Sequence, residues 1–325
     1  MSDHAIAAIV LAAGQGTRMK SSLPKVLTPV LGEPMLGYVL DSLKESGVDR
    51  LIVVAGHLGE QVVDFVGNRG EIAWQRERLG TGHAVRCALP LLEGFDGEVI
   101  VTCGDAPLIT ARCFRNLITA RRRSRSSCVV ATMELAEPKH YGRITRDRDG
   151  NVMGIVEFKD ATEQQRAIRE VNTGTYCFQA HWLRDSVGKL KNDNAQGEYY
   201  LTDTIAHLLE DGRRVTAHLV EDATEFLGIN DALDLSLVEE ALGRRIKHQH
   251  LTAGVIIEEP HSVRIGPHVQ IGVRTRLRPG TILEGRTVLG EDCIVGPGVT
   301  LRDVSFPAGS SIGPHIIIGR LPRAD

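Results

Sequence analysis

Leu11-Ala12-Ala13-Gly14-Gln15-Gly16-Thr17-Arg18-Met19 follows directly on the apolar run at 5–10, and Pro24-Lys25 stand a few residues further on. The run reads as a buried strand that ends in a glycine turn. Glycines at 14 and 16 let the backbone bend tightly and turn its N–H groups toward an anionic ligand, while Arg18 and Lys25 add fixed positive charge. Such a loop can cradle a phosphate. It is neither of the two common nucleotide loops, because the P-loop and the dinucleotide fingerprint both require glycine where Met19 stands.

Outward from this loop, as far as about Glu221, short β-branched runs alternate with amphipathic stretches. Strands are expected at 5–10, 51–55, 98–103 and 127–135, and helices at 35–46, 60–66, 82–91 and 111–122. Strand, helix, strand at this spacing implies a mostly parallel sheet with helices on both faces, whose ligands bind beyond the carboxyl ends of the strands. The glycine loop and Gly104-Asp105 both leave such ends, and Gln75 with Gly80-Thr81-Gly82-His83-Ala84 follows the extended run at 71–74. Asp105, facing the loop, is placed to hold a divalent cation against a triphosphate. A turn or helix-capping aspartate is the competing reading.

Beyond residue 135 the polar residues gather in what read as short turns: Tyr141-Gly142-Arg143-Ile144, the stretch at 156–160, Val171-Asn172-Thr173-Gly174, and the run at 194–203. Strands at 151–157 and 175–178 bracket a charged helix, which suggests an inserted lid or sugar-side subdomain, since hydroxyl-rich ligands need convergent Asn, Glu and backbone groups. Asn230 offers a second metal oxygen. From 232 to 250 the pattern is one helix, with Leu233, Leu237, Leu242 and Ile246 near helical spacing. The period then changes to six: Ile265, Ile271, Leu277, Leu283, Leu289, Val295 and Leu301 keep one count, which resumes one residue early at Phe306, Ile312 and Ile318. A hexapeptide repeat of this kind marks a parallel β-helix, here of roughly three coils.

Composition narrows the class. The 325 residues are 42% hydrophobic and 24% charged with a formal net charge of -3, which suits a globular protein of two domains and gives no reason to expect a nucleic-acid or membrane partner. The one basic cluster, Arg121-Arg122-Arg123 with Arg125, reads as a solvated helix end. No window approaches the roughly 18 apolar residues that span a bilayer, and a cytoplasmic location is expected. Six cysteines without C-x-x-C spacing read as reduced, mostly buried thiols, Cys103 among them as a packing residue.

The pattern Leu-x-x-Gly-x-Gly-Thr-Arg-Met with a following Pro-Lys resembles the signature of sugar-phosphate nucleotidyltransferases. Together with Gln75, Leu79–Ala84, Gly104-Asp105, Tyr141-Gly142, Glu157, Asn172-Thr173-Gly174, the stretch at 196–203 and Gly228–Asn230, it resembles the N-acetylglucosamine-1-phosphate uridyltransferase family, the nucleotidyltransferase half of a bacterial bifunctional enzyme. That resemblance implies a Rossmann-like nucleotidyltransferase domain (1–230), a linker helix (231–250) and a short left-handed parallel β-helix (251–325), through which the family is trimeric. It implies a UDP-N-acetylglucosamine diphosphorylase of cell-wall biogenesis that transfers UMP from UTP to N-acetylglucosamine 1-phosphate with magnesium (Mg2+), releasing pyrophosphate. The backbone of Leu11, Ala12, Ala13 and Gly14, with Gln75, Gly80 and Thr81, would hold uracil and ribose. Arg18 and Lys25 would contact phosphates, Asp105 and Asn230 would hold the metal, Gly104 beside Asp105 would bind substrate, and Gly142, Glu157 and Asn172 would contact the amino sugar and adjoining ribose.

Two departures stand out. Gln15 occupies a position where family members often carry Lys, and family members acetylate glucosamine 1-phosphate in a much longer β-helix, so no acetyltransferase activity is expected; His261, His268 and His315 read as solvated. Other sugar 1-phosphates with UTP or dTTP, a non-catalytic regulatory or scaffold subunit, and a β-helix acyltransferase with an N-terminal sensor are the alternatives.

Overall fold

The computed structural model describes residues 5–14, 16, 19 and 22–319. Its contacts divide the chain into two units. One comprises the chain up to Thr28 and Met35–Asn230, and the other joins Pro29–Pro34 to the chain from Asp231 onward.

The first unit is built on a twisted sheet. In chain order come β1 (Ile6–Leu11), the hairpin strands β2 (Pro29–Val30) and β3 (Glu33–Pro34) that group with the second unit, α1 (Met35–Glu45), β4 (Arg50–Ala55), α2 (Gly59–Val66), β5 (Glu71–Trp74), α3 (Thr81–Ala88), β6 (Glu98–Cys103), α4 (Ala111–Ser124) and β7 (Cys128–Glu134). Then follow β8 (Arg143–Arg146), β9 (Val152–Val156), α5 (Glu163–Arg166), β10 (Glu170–Gln179), α6 (Ala180–Gly188), α7 (Asp203–Glu210) and β11 (Val215–Leu219). The main strand order is β11-β7-β10-β6-β1-β4-β5, with β8 and β9 branching from β10. Every neighbour pair along it is parallel except those made by β10, which runs antiparallel to both β6 and β7.

Alternation along β1 shows why helices cover both faces. Ile6, Ala8 and Val10 pack with Leu36, Leu40 and Leu43 of α1, Val62 of α2 and Phe114 of α4, whereas Ala7 and Ile9 pack with Val85 of α3, Leu183 of α6 and Ile205 of α7. A strand apolar on both sides is what a parallel sheet between two helical layers requires. The register sets Leu11 beside Val54 and Cys103, so the loops after β1, β4 and β6 leave along one edge.

Two sequence readings change here. The stretch Val171–Gly174 is not a turn: it lies inside β10, where the pairing with β7 shifts register between Asn172 and Tyr176 and Gly174 takes φ +78°. A bulge of this kind needs the same small polar residues as a turn, which is why the sequence alone did not separate them. The basic cluster is not simply solvated either. Arg121 and Arg122 both bond the carboxylate of Glu98, which is 1% exposed at the start of β6, with Arg121 Nη2 at 2.7 Å and Arg122 Nε at 2.8 Å.

In the second unit, α8 (Ala232–Thr252) starts on Asp231, whose carboxylate accepts from the amides of Leu233 and Asp234 at 3.0 Å. Its buried face is Val238, Leu242 and Ile246; Leu242 and Ile246 lie in the expected stripe, whereas Leu233 and Leu237 are exposed and Val238 takes the buried position before Leu242. Among the described residues eleven strands of two or three residues, from Ile256–Ile257 to Ile317–Ile318, then stack in parallel sheets of four, four and three. This is the arrangement of a left-handed parallel β-helix. Ile265, Leu277, Leu283, Leu289, Val295 and Leu301 point inward and are buried, as the six-residue period requires.

Glu98→Ala leaves Arg121 nearly buried without its counter-ion, and the expected loss is about 3 kcal/mol of folding free energy. Urea unfolding checks this: the midpoint should fall while the slope stays unchanged.

Candidate active site

The carboxyl edge of β1, β5 and β6 opens into a cleft of about 450 Å³ within the first unit. Leu11, Ala13, Gly14, Lys25, Gln75, Gly80, Thr81, Asp105 and Asn230 all line it, so the structure brings together most of the residues selected from the sequence. Ala12 is buried behind them, its amide donating to the carbonyl of Val54 at 3.0 Å. Gly104 donates its amide to the carbonyl of Leu11 at 2.9 Å and packs so closely that a Cβ would stand 3.2 Å from Leu36 and Val26 side chains. Arg18, Gln15 and Thr17 lie outside the described residues.

Lys25 occupies the centre. Gly16, at φ +60°, lets the glycine loop fold against it, and a Cβ there would fall 2.6 Å from the Lys25 Cβ. The ammonium of Lys25 donates to a carboxylate oxygen of Asp105 and, at 3.1 Å, to Oδ1 of Asn230. The amide of Ile229 donates to the Asp105 carbonyl at 3.3 Å, which ties the segment carrying Asn230 to the end of β6. Two hard oxygen donors from distant parts of the chain thus converge on one positive charge, a donor set that fits a divalent cation of the magnesium type with open positions left for phosphate and water.

The opposite wall is closed by main chain. Gly80, at φ +102°, begins α3, and the amide of Gly82 donates to the carbonyl of Tyr199 at 2.8 Å while the amide of Tyr199 donates to that of Leu79 at 2.7 Å. A Cβ on Gly80 would lie 2.6 Å from the Tyr199 carbonyl oxygen. The Thr81 hydroxyl accepts from the Leu201 amide at 3.1 Å. Gln75 is held by its side-chain nitrogen, 3.0 Å from the Gly80 carbonyl and 3.2 Å from His83 Nδ1.

Gly142, Glu157 and Asn172 form a separate group. Asn172 donates its amide to the Gly142 carbonyl at 2.9 Å and its side-chain nitrogen to the Tyr176 hydroxyl at 2.7 Å. A Cβ on Gly142 would stand 3.6 Å from both carboxylate oxygens of Glu157, one of which accepts from the Thr202 hydroxyl at 3.0 Å. Burial, reinforced by Asp203, Asp160 and Glu198, raises the Glu157 carboxyl above its ordinary range, and the Thr202 bond opposes that rise. Through Gly174, whose Cβ would stand 3.4 Å from Cys103 Sγ, the bulge of β10 reaches the cleft wall.

A family model described as a MobA-like NTP transferase domain matches residues 8–168. Proteins named bifunctional protein GlmU align along nearly the whole chain. That of Geobacillus thermodenitrificans is 45% identical over 305 residues, covering 94% of this chain and 66% of the relative. That of Heliobacterium modesticaldum is 44% identical over 315 residues, covering 97% and 68%, and that of Bacillus velezensis 42% over 311, covering 96% and 67%. The chain belongs to the GlmU family. It spans about two thirds of the length of these curated GlmU relatives, and its first unit is a nucleotidyltransferase domain.

Three ionisable side chains of the GlmU cleft escaped the sequence reading. Arg78 and Glu198 line it, Arg78 from the segment between Gln75 and Gly80 and Glu198 from the strip that pairs with Gly82. Glu198 sits inside the selected stretch at 196–203, whereas Arg78 falls between the selected Gln75 and Leu79. Cys103 lines the cleft too and is not merely packing, though burial and the Asp105 charge push its thiol up to about 12, which leaves it unreactive at neutral pH.

Gly14 and Gly80 separate folding from ligand space. A Cβ on Gly14 meets nothing within 4 Å, whereas one on Gly80 meets backbone at a φ that L residues avoid. Gly80→Ala is expected to cost about 2 kcal/mol of stability, and Gly14→Ala none, in parallel thermal melts.

Proposed function

We propose that the chain transfers UMP from UTP to N-acetylglucosamine 1-phosphate, with Mg2+, giving UDP-N-acetylglucosamine and pyrophosphate. The observation that carries this reading is the convergence of Lys25, Asp105 and Asn230 in the cleft of a GlmU-family nucleotidyltransferase domain. A non-bridging oxygen of the sugar phosphate attacks the α-phosphorus of UTP. The new P–O bond forms as the bond from the α-phosphorus to the β-bridging oxygen breaks, and pyrophosphate leaves with that electron pair.

The nucleophile is already ionised at neutral pH, so no general base is needed. What the chain must supply is alignment and charge, because two polyanions have to be held in contact. The backbone at 11–14, with Gln75, Gly80 and Thr81, is assigned the uracil and ribose, and Gly104 backs the phosphates. Lys25 and Arg18 are assigned the phosphates; the flexible stem of Lys25 lets its ammonium turn from Asp105 toward a bound triphosphate. Asp105 and Asn230 would hold Mg2+, which when bound neutralises charge on the triphosphate. Gly142, Glu157 and Asn172 are assigned the amino sugar and the adjoining ribose.

Absence of acetyl transfer is supported by the surface setting of the β-helix histidines: His268 pairs with Glu33 at 3.3 Å and His261 is 81% exposed beside Glu259. Trimerisation through the β-helix is supported by Ile256, Ile294 and Ile317, exposed on its sheets. A cytoplasmic location fits six cysteines that are all free. No helix among the described residues is long and apolar enough to cross a membrane.

Pyrophosphate release by the purified protein, with a panel of sugar 1-phosphates and nucleotides and a parallel mixture of glucosamine 1-phosphate and acetyl-coenzyme A, tests the reading. Release is expected with UTP and N-acetylglucosamine 1-phosphate, no free thiol from acetyl-coenzyme A, loss on chelation, and a fall of at least about 10²-fold for Asp105→Ala. Release with another pair alone would discard the substrate, and near-normal turnover by Asp105→Ala the metal assignment. Silence across the panel would overturn the enzyme reading.

A further inference from the structure

Arg143 opens β8 at 2% exposure, and no carboxylate among the described residues pairs with its charge. All three guanidinium nitrogens go to main-chain carbonyls instead. Nε donates to Arg166 at 3.3 Å, at the end of α5, Nη2 to Lys139 at 3.0 Å, and Nη1 to Tyr141. The guanidinium also lies 5.5 Å from the centre of the Phe158 ring, against which Arg166 stands at 4.7 Å and His140 edge-on at 4.9 Å. Burial and the neighbouring Arg166 both act to lower its pKa. An apolar side chain would fill this space without desolvating a charge, so a buried, unneutralised guanidinium calls for a reason beyond packing.

The acceptors supply one. Lys139, itself at φ +45°, and Tyr141 bracket the loop that delivers Gly142, while Phe158 follows Glu157 directly in sequence. The Gly142 carbonyl accepts from the amide of Asn172, so wherever the loop sits, the bulge of β10 is set against it. A planar fork with fixed donor directions holds two chain segments at one angle, which a lysine ammonium does not. We propose that Arg143 is the positioning residue of the amino-sugar wall: its guanidinium pins the 139–142 loop to the end of α5 and thereby fixes the spacing among Gly142, Glu157 and Asn172. The proposal rests on the sugar-nucleotide reading of the cleft. Arg143 has no direct part in the chemistry.

Steady-state kinetics and amide exchange of the full chain test it together. For Arg143→Met, KM for N-acetylglucosamine 1-phosphate should rise at least about tenfold, and KM for UTP, whose ribose adjoins the same wall, by no more than about a third of that factor. Arg143→Lys should show a smaller rise of the same kind, and Phe158→Leu, which leaves the carbonyl contacts intact, a smaller one still. Equal rises in both KM values, or a fall in activity that only tracks the folded fraction, would overturn the assignment. Without substrates, amides at 139–142 and 170–174 should exchange at least about tenfold faster in Arg143→Met, with β1 and β6 unchanged. Unaltered exchange there would overturn it as well. Should the wild-type chain turn over no amino-sugar phosphate, the functional reading fails while the exchange result still decides what Arg143 holds. If Arg143→Met does not fold, Arg143→Lys and Phe158→Leu carry the same comparisons.

Discussion

The ammonium of Lys25 binds Asp105 and Asn230, three residues separated by 80 and 125 positions of chain, and much of the first unit exists to let that contact form. Lys25 and Asp105 are only 13% and 23% exposed, so the charges meet in a setting where water screens them less than at the surface. Each approach has its own steric condition. Gly16 gives Lys25 room, the Gly104 amide continues the ladder of β1 and β6 past Leu11, and Ile229 hangs the Asn230 segment on the Asp105 main chain. The register of β1 with β6 is therefore as much a part of the site as the side chains that line it.

Around this centre the cleft has walls of different character. The wall next to α3 is a backbone zipper between 79–82 and 198–201, in which glycine is required because carbonyls approach where a Cβ would stand. Such a surface presents main-chain groups and a fixed Gln75, suited to a planar base. The separate group beyond Cys103 is rich in carboxylates: burial raises Glu157 and Asp203, acidic neighbours add to the rise, and the Thr202 bond and His207 respectively oppose it. A dense set of acceptors in which desolvation and mutual repulsion are tolerated suits a neutral polyhydroxyl ligand far better than a second polyanion. The two anions of the proposed reaction would thus be drawn toward the middle, where the cations lie.

Periodicity made the architecture legible. The alternation of strand and helix, the apolar two-sided run of β1 and the six-residue count of the β-helix are each local patterns with one structural solution. Asp105 was legible because it follows Gly104 at the end of β6, and Lys25 because the Pro24-Lys25 pair stands a few residues beyond the glycine loop. What was not legible depends on partners remote in sequence. Glu98 draws two arginines of an apparently solvated helix end onto one buried carboxylate, and the bulge at Asn172 looks like a turn until β7 is set beside it. Arg78 carries no local mark at all and becomes part of the site only because the loop before α3 folds over the cleft.

The most direct test of the central cluster is a calorimetric titration of UTP with Mg2+ into wild-type protein and into Lys25→Met, each verified as folded by thermal melting. A charge-assisted contact to phosphate should be lost with the ammonium, and an affinity at least about tenfold weaker is expected for the variant. Equal affinities would mean that the ammonium held by Asp105 and Asn230 is a structural counter-ion only, and that the nucleotide phosphates lie elsewhere.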